Sequence, residues 1–327
     1  MKVMHVTYDM RIGGTEMVIK NIIEGNVNAN IEMSIFCIEA PLGPWGKELK
    51  ENGIHVFTHE RKSGFDLSLI LAIRQHIKTN KIDVIHCHQY TPWVYGTLAS
   101  VLTKAKVLFT EHGRFYPDSS SWKRRFANPV LAKLTSNITS ISAATKEALV
   151  NYEYLSEKHI DVVYNGIEPL NVSQGEVEAL RESLGIRTST KVLGTIARFD
   201  PIKNQTMMLR AFQEVLRSHP DTVLVMVGDG VMRDTLECLV NELGIFDNVI
   251  FTGYIAKPAI YLAMMDIFLL SSLSEGTSMT LLEAMSLGKP CVVTMPVGTQ
   301  KLSKMAKTGL CVKMITLMIL QNQFRGF

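Results

Sequence analysis

Four charged residues in the C-terminal half are spaced to fit a ligand that carries both phosphates and hydroxyls. Arg198 and Lys203 lie five residues apart in RFDPIKN, around an Asp-Pro turn. A guanidinium offers a planar fork and an ammonium a point charge, so together they match a diphosphate. Glu275 and Glu283 flank the polar turn and apolar helix of SEGTSMTLLEAMS, where carboxylates could accept sugar hydroxyls. Ordinary solvated side chains are the alternative.

Small residues at the ends of predicted strands would let the backbone approach an anion. Glycine has no Cβ, and the first N–H groups of a helix lack partners within the helix. Gly-Thr-Ser is predicted to begin the helix that carries Glu283. The candidate positions are Gly13, Gly14, Gly228, Gly276, Thr277 and Ser278. The absence of a GxGxxG fingerprint argues against a nicotinamide enzyme.

Histidines near strand ends in the N-terminal half are the remaining candidates for chemistry. His112 follows a predicted strand, where an imidazole could hydrogen-bond a ligand or transfer a proton; a structural role is the alternative. His86 and His88 flank Cys87 and would share one strand face, but the sequence shows no fourth metal ligand near them. We therefore predict no metal site.

These residues must be positioned by strands that alternate with helices. The strands are near-continuous apolar runs, which is typical of parallel strands buried on both faces. The first series is Lys2–Tyr8, Glu32–Ile38, His55–Thr58, Asp83–His88, Lys106–Thr110, Ile138–Ser142 and Asp161–Tyr164. The second is Lys191–Ala197, Thr222–Val227, Val249–Phe251, Asp266–Ser271 and Pro290–Thr294.

A polar stretch at residues 165–176 separates the two series and indicates a domain boundary. We predict an α/β protein with a Rossmann-like domain at 1–168, a linker at 169–190 and a second Rossmann-like domain at 191–327. Ligands of such sheets bind beyond the carboxyl ends of the strands, which is where the candidate residues lie.

The bulk composition is that of an ordinary globular protein. A chain of 327 residues, 46% hydrophobic and 20% charged, is long enough for two domains. The net charge of +3 is too weak to indicate nucleic acid as a partner. Five scattered cysteines, mostly in apolar runs, are predicted to be reduced core residues, and together with an N-terminus without signal-peptide features they indicate a cytoplasmic protein.

Several short motifs occur in a fixed order: GGTE, HCH, EHG, YNGI, RFDPIKN, GDG and the pair Glu275 and Glu283. This ordered set resembles that of the GT-B nucleotide-sugar glycosyltransferases of family 4, a retaining group that builds bacterial surface polysaccharides. The resemblance covers residue 1 to about residue 295. It implies two Rossmann-like domains with parallel sheets that face each other across a cleft.

The resemblance also implies roles for the candidate residues. Arg198 and Lys203 would bind the donor diphosphate, and Glu283 would hold the ribose hydroxyls. Glu275 would contact the donor sugar, while His112 would lie against that sugar from the first domain. The small residues named above would approach the donor through their backbone. Such enzymes need no metal ion or other cofactor, and in them the leaving phosphate takes the proton of the acceptor.

A basic and aromatic segment in the N-terminal half could contact a membrane. Its residues are Trp122, Lys123, Arg124, Arg125 and Phe126. A helix of this kind can lie on an anionic bilayer, which would make the protein peripheral at the inner face of the plasma membrane, with a lipid-linked acceptor. A solvated basic face is the alternative.

The sequence departs from the family pattern after about residue 297. The family has a Gly-Gly-x-Pro-Glu turn there, whereas this chain reads VGTQKLSKMAKTGLCV, with Gly-Leu returning at residues 309–310. We infer a frame slip near Val297, a return before Thr308 and another slip after Lys313. The C-terminal domain would then be incomplete and activity impaired.

Two other functions stay open. The first is an inactive, truncated protein that binds a nucleotide sugar. The second is a non-hydrolysing sugar-nucleotide epimerase of the same two-domain architecture, which the paired cations and paired glutamates disfavour.

Overall fold

The computed structural model describes residues 1–113, 119–294 and 309–312, the last four by their backbone only. The chain divides into two compact units, Met1–Asn165 and Gly166–Phe327, and each contains one parallel sheet flanked by helices. The α/β class predicted from the sequence is confirmed.

The first unit contains a seven-stranded sheet in the order β3-β2-β1-β4-β5-β6-β7. Its strands are β1 Lys2–Thr7, β2 Glu32–Cys37, β3 His55–Thr58, β4 Val84–His88, β5 Lys106–Glu111, β6 Asn137–Ser140 and β7 Ile160–Val162. Its helices are α1 Gly14–Glu24, α2 Pro44–Glu51, α3 Leu67–Asn80, α4 Tyr90–Ser100, α5 Trp122–Leu134 and α6 Ala143–Glu153. The strand order reverses between β1 and β4, which makes this the switch point of the sheet.

The two faces of the first sheet differ in polarity. On one face, Trp93 of α4 stacks on Phe109 of β5 with ring centroids 4.5 Å apart, within a large apolar core. On the other face, Ile19 of α1 packs in a smaller apolar cluster with Ile35 of β2. His5 of β1 pairs in register with Ile35, so this second face carries imidazoles where it reaches the switch point.

The second unit contains a six-stranded sheet in the order β10-β9-β8-β11-β12-β13. Its strands are β8 Lys191–Ile196, β9 Thr222–Val227, β10 Val249–Gly253, β11 Ile267–Leu270, β12 Cys291–Thr294 and β13 Gly309–Val312. Its helices are α7 Gln174–Ser183, α8 Gln205–Ser218, α9 Arg233–Glu242, α10 Ala259–Met264 and α11 Met279–Ser286. Here the order reverses between β8 and β11.

The predicted linker at 169–190 differs from the structure because it contains α7. Val177 of this helix is buried in a core cluster of the second unit, together with Leu262 of α10. Ser173 and Glu176 form a capping box at the start of α7. The last four residues of the polar stretch that suggested a connection, 173–176, thus cap and begin a helix.

The last described strand lies where the sequence returns to the family pattern. β13 pairs with β12 in parallel and includes the Gly-Leu pair at residues 309–310. The frame slips inferred from the sequence fall in residues 295–308 and 313–327, outside the described residues.

The described thiols are free, and Cys37, Cys87 and Cys291 are buried as predicted for core residues. Cys238 of α9 is exposed, contrary to that expectation. Within the described ranges, no helix has both the length and the apolar character needed to cross a bilayer.

Candidate active site

The second sheet brings its charged candidates to the switch point between β8 and β11. Arg198 and Lys203 follow β8, whereas Glu275 follows β11, the neighbouring strand. The loops at a reversal of strand order leave in opposite directions, which opens a crevice at the carboxyl ends of the strands. The fold therefore explains why residues so distant in sequence meet here.

Lys203 and Glu275 form a partly buried ion pair. Lys203 Nζ lies 2.6 Å from Glu275 Oε1, and the hydroxyl of Ser272 donates to the same oxygen at 2.6 Å. The side chain of Glu275 is 9% exposed and that of Lys203 is 25% exposed. An ammonium has three donor hydrogens, so Lys203 can hold Glu275 and still bind a phosphate oxygen.

Two further hydrogen bonds hold the loops after β8 and β11 together. The amide of Leu273 donates to the carbonyl of Ile202 at 2.8 Å, and the hydroxyl of Ser271 donates to the carbonyl of Lys203 at 2.7 Å. The backbone that carries Lys203 is therefore fixed against the loop that carries Glu275.

Arg198 is the exposed cation of this site. Its side chain is 67% exposed and lies 3.0 Å from Asp200 Oδ2. The other carboxylate oxygen of Asp200 accepts the amide of Ile202 and so caps the short turn before α8. An exposed ion pair of this kind contributes little stability, which leaves the guanidinium available to an anion.

Gly228 is required by the fold at the end of β9. Its φ is +136°, and a Cβ there would overlap the carbonyl oxygen of Ala197 in the loop after β8. Its amide donates to the carbonyl of Gly253 at 2.9 Å. Gly230 has a φ of +155° and lies against the backbone of Phe199. This packing accounts for both glycines without a ligand.

Helix α11 begins later than the sequence predicted. Its first residue is Met279, so Gly276 and Thr277 lie before the helix rather than in its first turn. Ser278 is the N-cap, and its hydroxyl accepts the amide of Leu281 at 3.3 Å. The expectation that these three residues begin the helix is wrong because a capping serine keeps extended backbone. Early N–H groups of α11 still point out of the helix end.

Glu283 lies half-buried on α11. Burial raises the pKa of its carboxyl to about 6. No residue in the described part of the second unit donates a hydrogen bond to this carboxylate. Hydroxyl donors would stabilise such a carboxylate, because their hydrogen bonds would replace those that burial has removed from water.

Gly13 and Gly14 precede and begin α1, directly after the loop that follows β1. A Cβ on Gly14 would meet nothing within 4 Å, so its backbone is open to close approach. A Cβ on Gly13 would lie 2.5 Å from Glu16 Oε2, which shows that a carboxylate covers this glycine. The two glycines are thus unequal, and Gly14 is the accessible one.

Four histidines cluster at the switch point of the first sheet. His5 Nδ1 lies 2.9 Å from His88 Nε2, and His88 Nδ1 lies 2.8 Å from His112 Nε2. His86 Nε2 lies 2.7 Å from the hydroxyl of Thr110. His5 thus lies beside His86 and His88 as a third imidazole. His5 comes from the neighbouring strand, at a position that a linear spacing does not reveal.

The cluster contains a possible set of metal ligands. Ring nitrogens of His5, His86 and His88 lie within 4.8 Å of one another. However, both nitrogens of His88 already contact other imidazoles, and a metal would have to displace those contacts. Burial lowers the pKa of His5 to about 4 and that of His112 to about 3, so both rings are neutral at pH 7. Hydrogen bonding between neutral rings accounts for these contacts.

Two family models match consecutive parts of the chain. Residues 12–169 match Glycosyltransferase Family 4, and residues 176–314 match Glycosyl transferases group 1. The chain belongs to glycosyltransferase family 4. The second match extends past residue 295, where the resemblance noted in the sequence ended.

Relatives of this glycosyltransferase match nearly the whole chain. An uncharacterized glycosyltransferase of Methanocaldococcus jannaschii is 26% identical over 95% of this chain and 85% of its own. UDP-Gal:alpha-D-GlcNAc-diphosphoundecaprenol alpha-1,3-galactosyltransferase of Escherichia coli is 24% identical over 96% and 84%. The crystal structure of Anabaena HepE in complex with UDP-glucose has a TM-score of 0.84 and 21% identity, covering 100% of this chain and 89% of that one. The GT-B fold is thereby confirmed.

Glu111 is a residue of the glycosyltransferase that sequence reasoning left without a role. It is buried at the end of β5, and its Oε1 accepts the amides of His112 at 3.0 Å and Gly113 at 3.3 Å. Burial raises the pKa of its carboxyl to about 8. Its position in the EHG motif was the available signal. Its contacts show that it shapes the turn that presents His112.

The Lys203–Glu275 pair makes a testable contribution to stability. We expect Lys203→Met to lower the free energy of unfolding by about 1–3 kcal/mol, because Glu275 would keep a buried charge without its cation. Lys191 is the control: it lies 3.8 Å from Asp266 with 70% of its side chain exposed. Lys191→Met should change stability by less than about 0.5 kcal/mol. Denaturant unfolding measures both variants, and equal effects would contradict the assignment.

Proposed function

We propose that this glycosyltransferase moves a sugar from a nucleoside diphosphate sugar to a hydroxyl of a glycan or lipid-linked saccharide in bacterial surface polysaccharide synthesis. We further propose retention of the anomeric configuration. The observation that carries the proposal is the Lys203–Glu275 ion pair at the switch point of the second sheet, with Arg198 on the same loop as Lys203. The uridine donor and lipid-linked acceptor in the name of the Escherichia coli relative support the substrate classes.

Most of the candidate residues have a role in this proposal. Arg198 and Lys203 neutralise the diphosphate. Arg198 binds it with its planar, solvent-exposed guanidinium, and Lys203 binds it with an ammonium that also contacts Glu275. Glu283 accepts the ribose hydroxyls. Glu275 and the backbone of residues 276–278 contact the donor sugar and its phosphate, while His112 hydrogen-bonds that sugar. Gly14 leaves room for the backbone to approach the donor, whereas Gly13 and Gly228 pack against Glu16 and Ala197 and are left out of the donor contacts.

The proposed reaction needs no nucleophile from the protein. The bond between the anomeric carbon and the phosphate oxygen breaks, and the acceptor oxygen attacks the same face of the sugar. The acceptor proton passes to the leaving phosphate oxygen. Arg198 and Lys203 stabilise the charge that develops on that phosphate, which is the electrostatic work a metal ion performs elsewhere.

A transfer assay tests the proposal. The chain is incubated with UDP-glucose, UDP-galactose or UDP-N-acetylglucosamine and with diphosphoundecaprenol-linked N-acetylglucosamine. We expect a disaccharide product with retained configuration, detected by mass spectrometry and NMR, at a rate that EDTA does not change. Slow release of UDP with water as the acceptor provides a readout that needs no acceptor.

Other outcomes of this assay would support the alternatives. Donor binding without transfer and without UDP release indicates an inactive protein that binds a nucleotide sugar. Isomerised donor in the absence of any acceptor indicates an epimerase. An inverted product would refute retention and leave the transferase assignment intact.

Glu283 should make donor affinity depend on pH. Only its ionised form accepts hydroxyls with both oxygens, and its pKa is about 6. Donor binding should therefore be about tenfold weaker at pH 5 than at pH 7, as the ionised fraction falls. The probe is a UDP-sugar rather than UDP, because a terminal phosphate itself titrates near pH 6. Calorimetry should show this loss in the wild type, and Glu283→Gln should bind weakly with no such dependence.

We include an anionic membrane surface among the proposed partners, on the basis of α5. This helix exposes one apolar stripe at four-residue spacing, formed by Trp122, Phe126, Val130 and Leu134. Basic side chains at Lys123 and Arg125 lie on the same helix. A stripe of this kind can enter the headgroup region while the basic residues meet anionic lipid, and the protein would then act at the inner face of the plasma membrane.

Arg124 differs from the sequence expectation for this segment. Its guanidinium pairs with Glu153 at 2.7 Å and lies 4.9 Å from the ring centroid of Tyr90. Because these contacts turn it toward α4 and α6, we leave Arg124 out of the proposed membrane surface.

Vesicle co-sedimentation tests the membrane contact. Vesicles rich in phosphatidylglycerol should bind the wild type more tightly than phosphatidylcholine vesicles, and less tightly at high salt. Replacing Lys123 and Arg125 with Gln should weaken binding by roughly 1 kcal/mol per charge. Lys191→Gln, which removes an exposed lysine of the second unit, is the control. Equal binding to both vesicle types would refute the contact.

A further inference from the structure

Three buried imidazoles of the first unit form a continuous series of contacts, which we name the histidine chain. Its members are His5, His88 and His112, with contacts of 2.9 Å and 2.8 Å between ring nitrogens. Their exposures are 1%, 0% and 8%. The chain runs from β1 through the end of β4 to the residue after β5, across the switch point of the sheet.

The contacts couple the tautomers of the three rings. A neutral imidazole has one N–H donor and one acceptor nitrogen, and each contact needs one of each. If His88 donates from Nδ1 to His112, its Nε2 must accept from His5, and all three rings carry their proton on Nδ1. If the direction reverses, all three carry it on Nε2. Mixed tautomers would break at least one hydrogen bond.

The two ends of the histidine chain are His5 Nε2 and His112 Nδ1. Both atoms are buried and have no hydrogen-bond partner among residues 1–113 and 119–294. A buried polar atom without a hydrogen-bond partner raises the free energy of the protein. A hydrogen bond from a ligand hydroxyl to His112 Nδ1 would therefore contribute more binding free energy than one to an exposed group. The donor-to-acceptor direction of the hydrogen bonds in the histidine chain decides whether His112 Nδ1 donates or accepts.

We propose that His88 and His5 are positioning residues that hold the His112 ring and determine which hydrogen-bonding role its Nδ1 offers to a ligand hydroxyl. This inference rests on the proposed function only for the identity of that ligand as the donor sugar. The chain of contacts itself can be tested without any activity.

His86 provides a matched comparison within the same cluster. It lies on the same strand face as His88, with ring centroids 4.0 Å apart. Its one hydrogen bond among the described residues is to Thr110 at 2.7 Å, so His86 is not part of the histidine chain. A change at His86 disturbs the packing of the cluster and leaves the contacts of His112 in place.

NMR of the full chain with 15N-labelled histidine tests the hydrogen bonds directly. We expect scalar coupling across both N–H···N contacts and the same tautomer in all three rings, Nδ1–H throughout or Nε2–H throughout. Absence of both couplings, or mixed tautomers in the three rings, would overturn the proposal. Stoichiometric metal in the purified protein, with the three rings as its ligands, would also overturn it.

Two amide substitutions at His88 separate positioning from packing. An Asn amide lies near the place of imidazole Nδ1 and keeps a group facing His112, whereas a Gln amide lies near Nε2 and faces His5. We expect His88→Gln to lower kcat about tenfold, and His88→Asn to lower it by no more than about threefold, as one lost hydrogen bond implies. His86→Gln keeps a group facing Thr110 and should change kcat by less than about twofold.

The outcomes distinguish this inference from the proposed function. If the scalar couplings are present and no sugar is transferred, the histidine chain is confirmed and the transferase proposal is refuted. Measurable transfer with equal losses in the two His88 variants would refute positioning, because a purely structural role predicts equal losses. If the His88 variants fail to fold, the couplings in the wild type decide the question.

Discussion

Parallel pairing of the strands is the constraint on which the candidate residues of both units depend. Parallel strands bring all their carboxyl ends to one edge of a sheet, and a reversal of strand order opens a crevice at that edge. In the first unit the reversal lies between β1 and β4, and in the second between β8 and β11. The candidate residues of each unit follow strands on either side of these reversals, so their proximity is a consequence of topology.

The two units use this edge in different ways. The second unit places charged groups at this edge. Lys203 is paired with Glu275, and Arg198 is largely exposed to solvent. A buried carboxylate is tolerated because its cation and a hydroxyl satisfy it. The same ammonium can meet an anionic ligand with its remaining hydrogens. Under the proposed function, stability and donor binding would both depend on this one ion pair, so neither could change alone.

The strands and their order along the chain could be predicted because buried parallel strands are continuous apolar runs. The loops were harder, since the polar residues that begin α7 resemble those of a linker. Ser278 shifted the start of α11 by acting as a cap rather than a helical residue. His5 escaped notice because its partner, His88, is 83 residues away and nothing in a linear spacing links them. Long-range pairing across a switch point is what local patterns do not encode.

The edge of the first unit offers hydrogen bonds with little charge. Burial holds the pKa of His112 near 3 and raises that of the neighbouring Glu111 to about 8, so imidazole and carboxyl are both mainly neutral at pH 7. Hydrogen bonds between neutral groups depend strongly on direction. This edge of the first unit is therefore suited to contact hydroxyls, whereas the corresponding edge of the second unit carries the charged side chains of Arg198, Lys203 and Glu275.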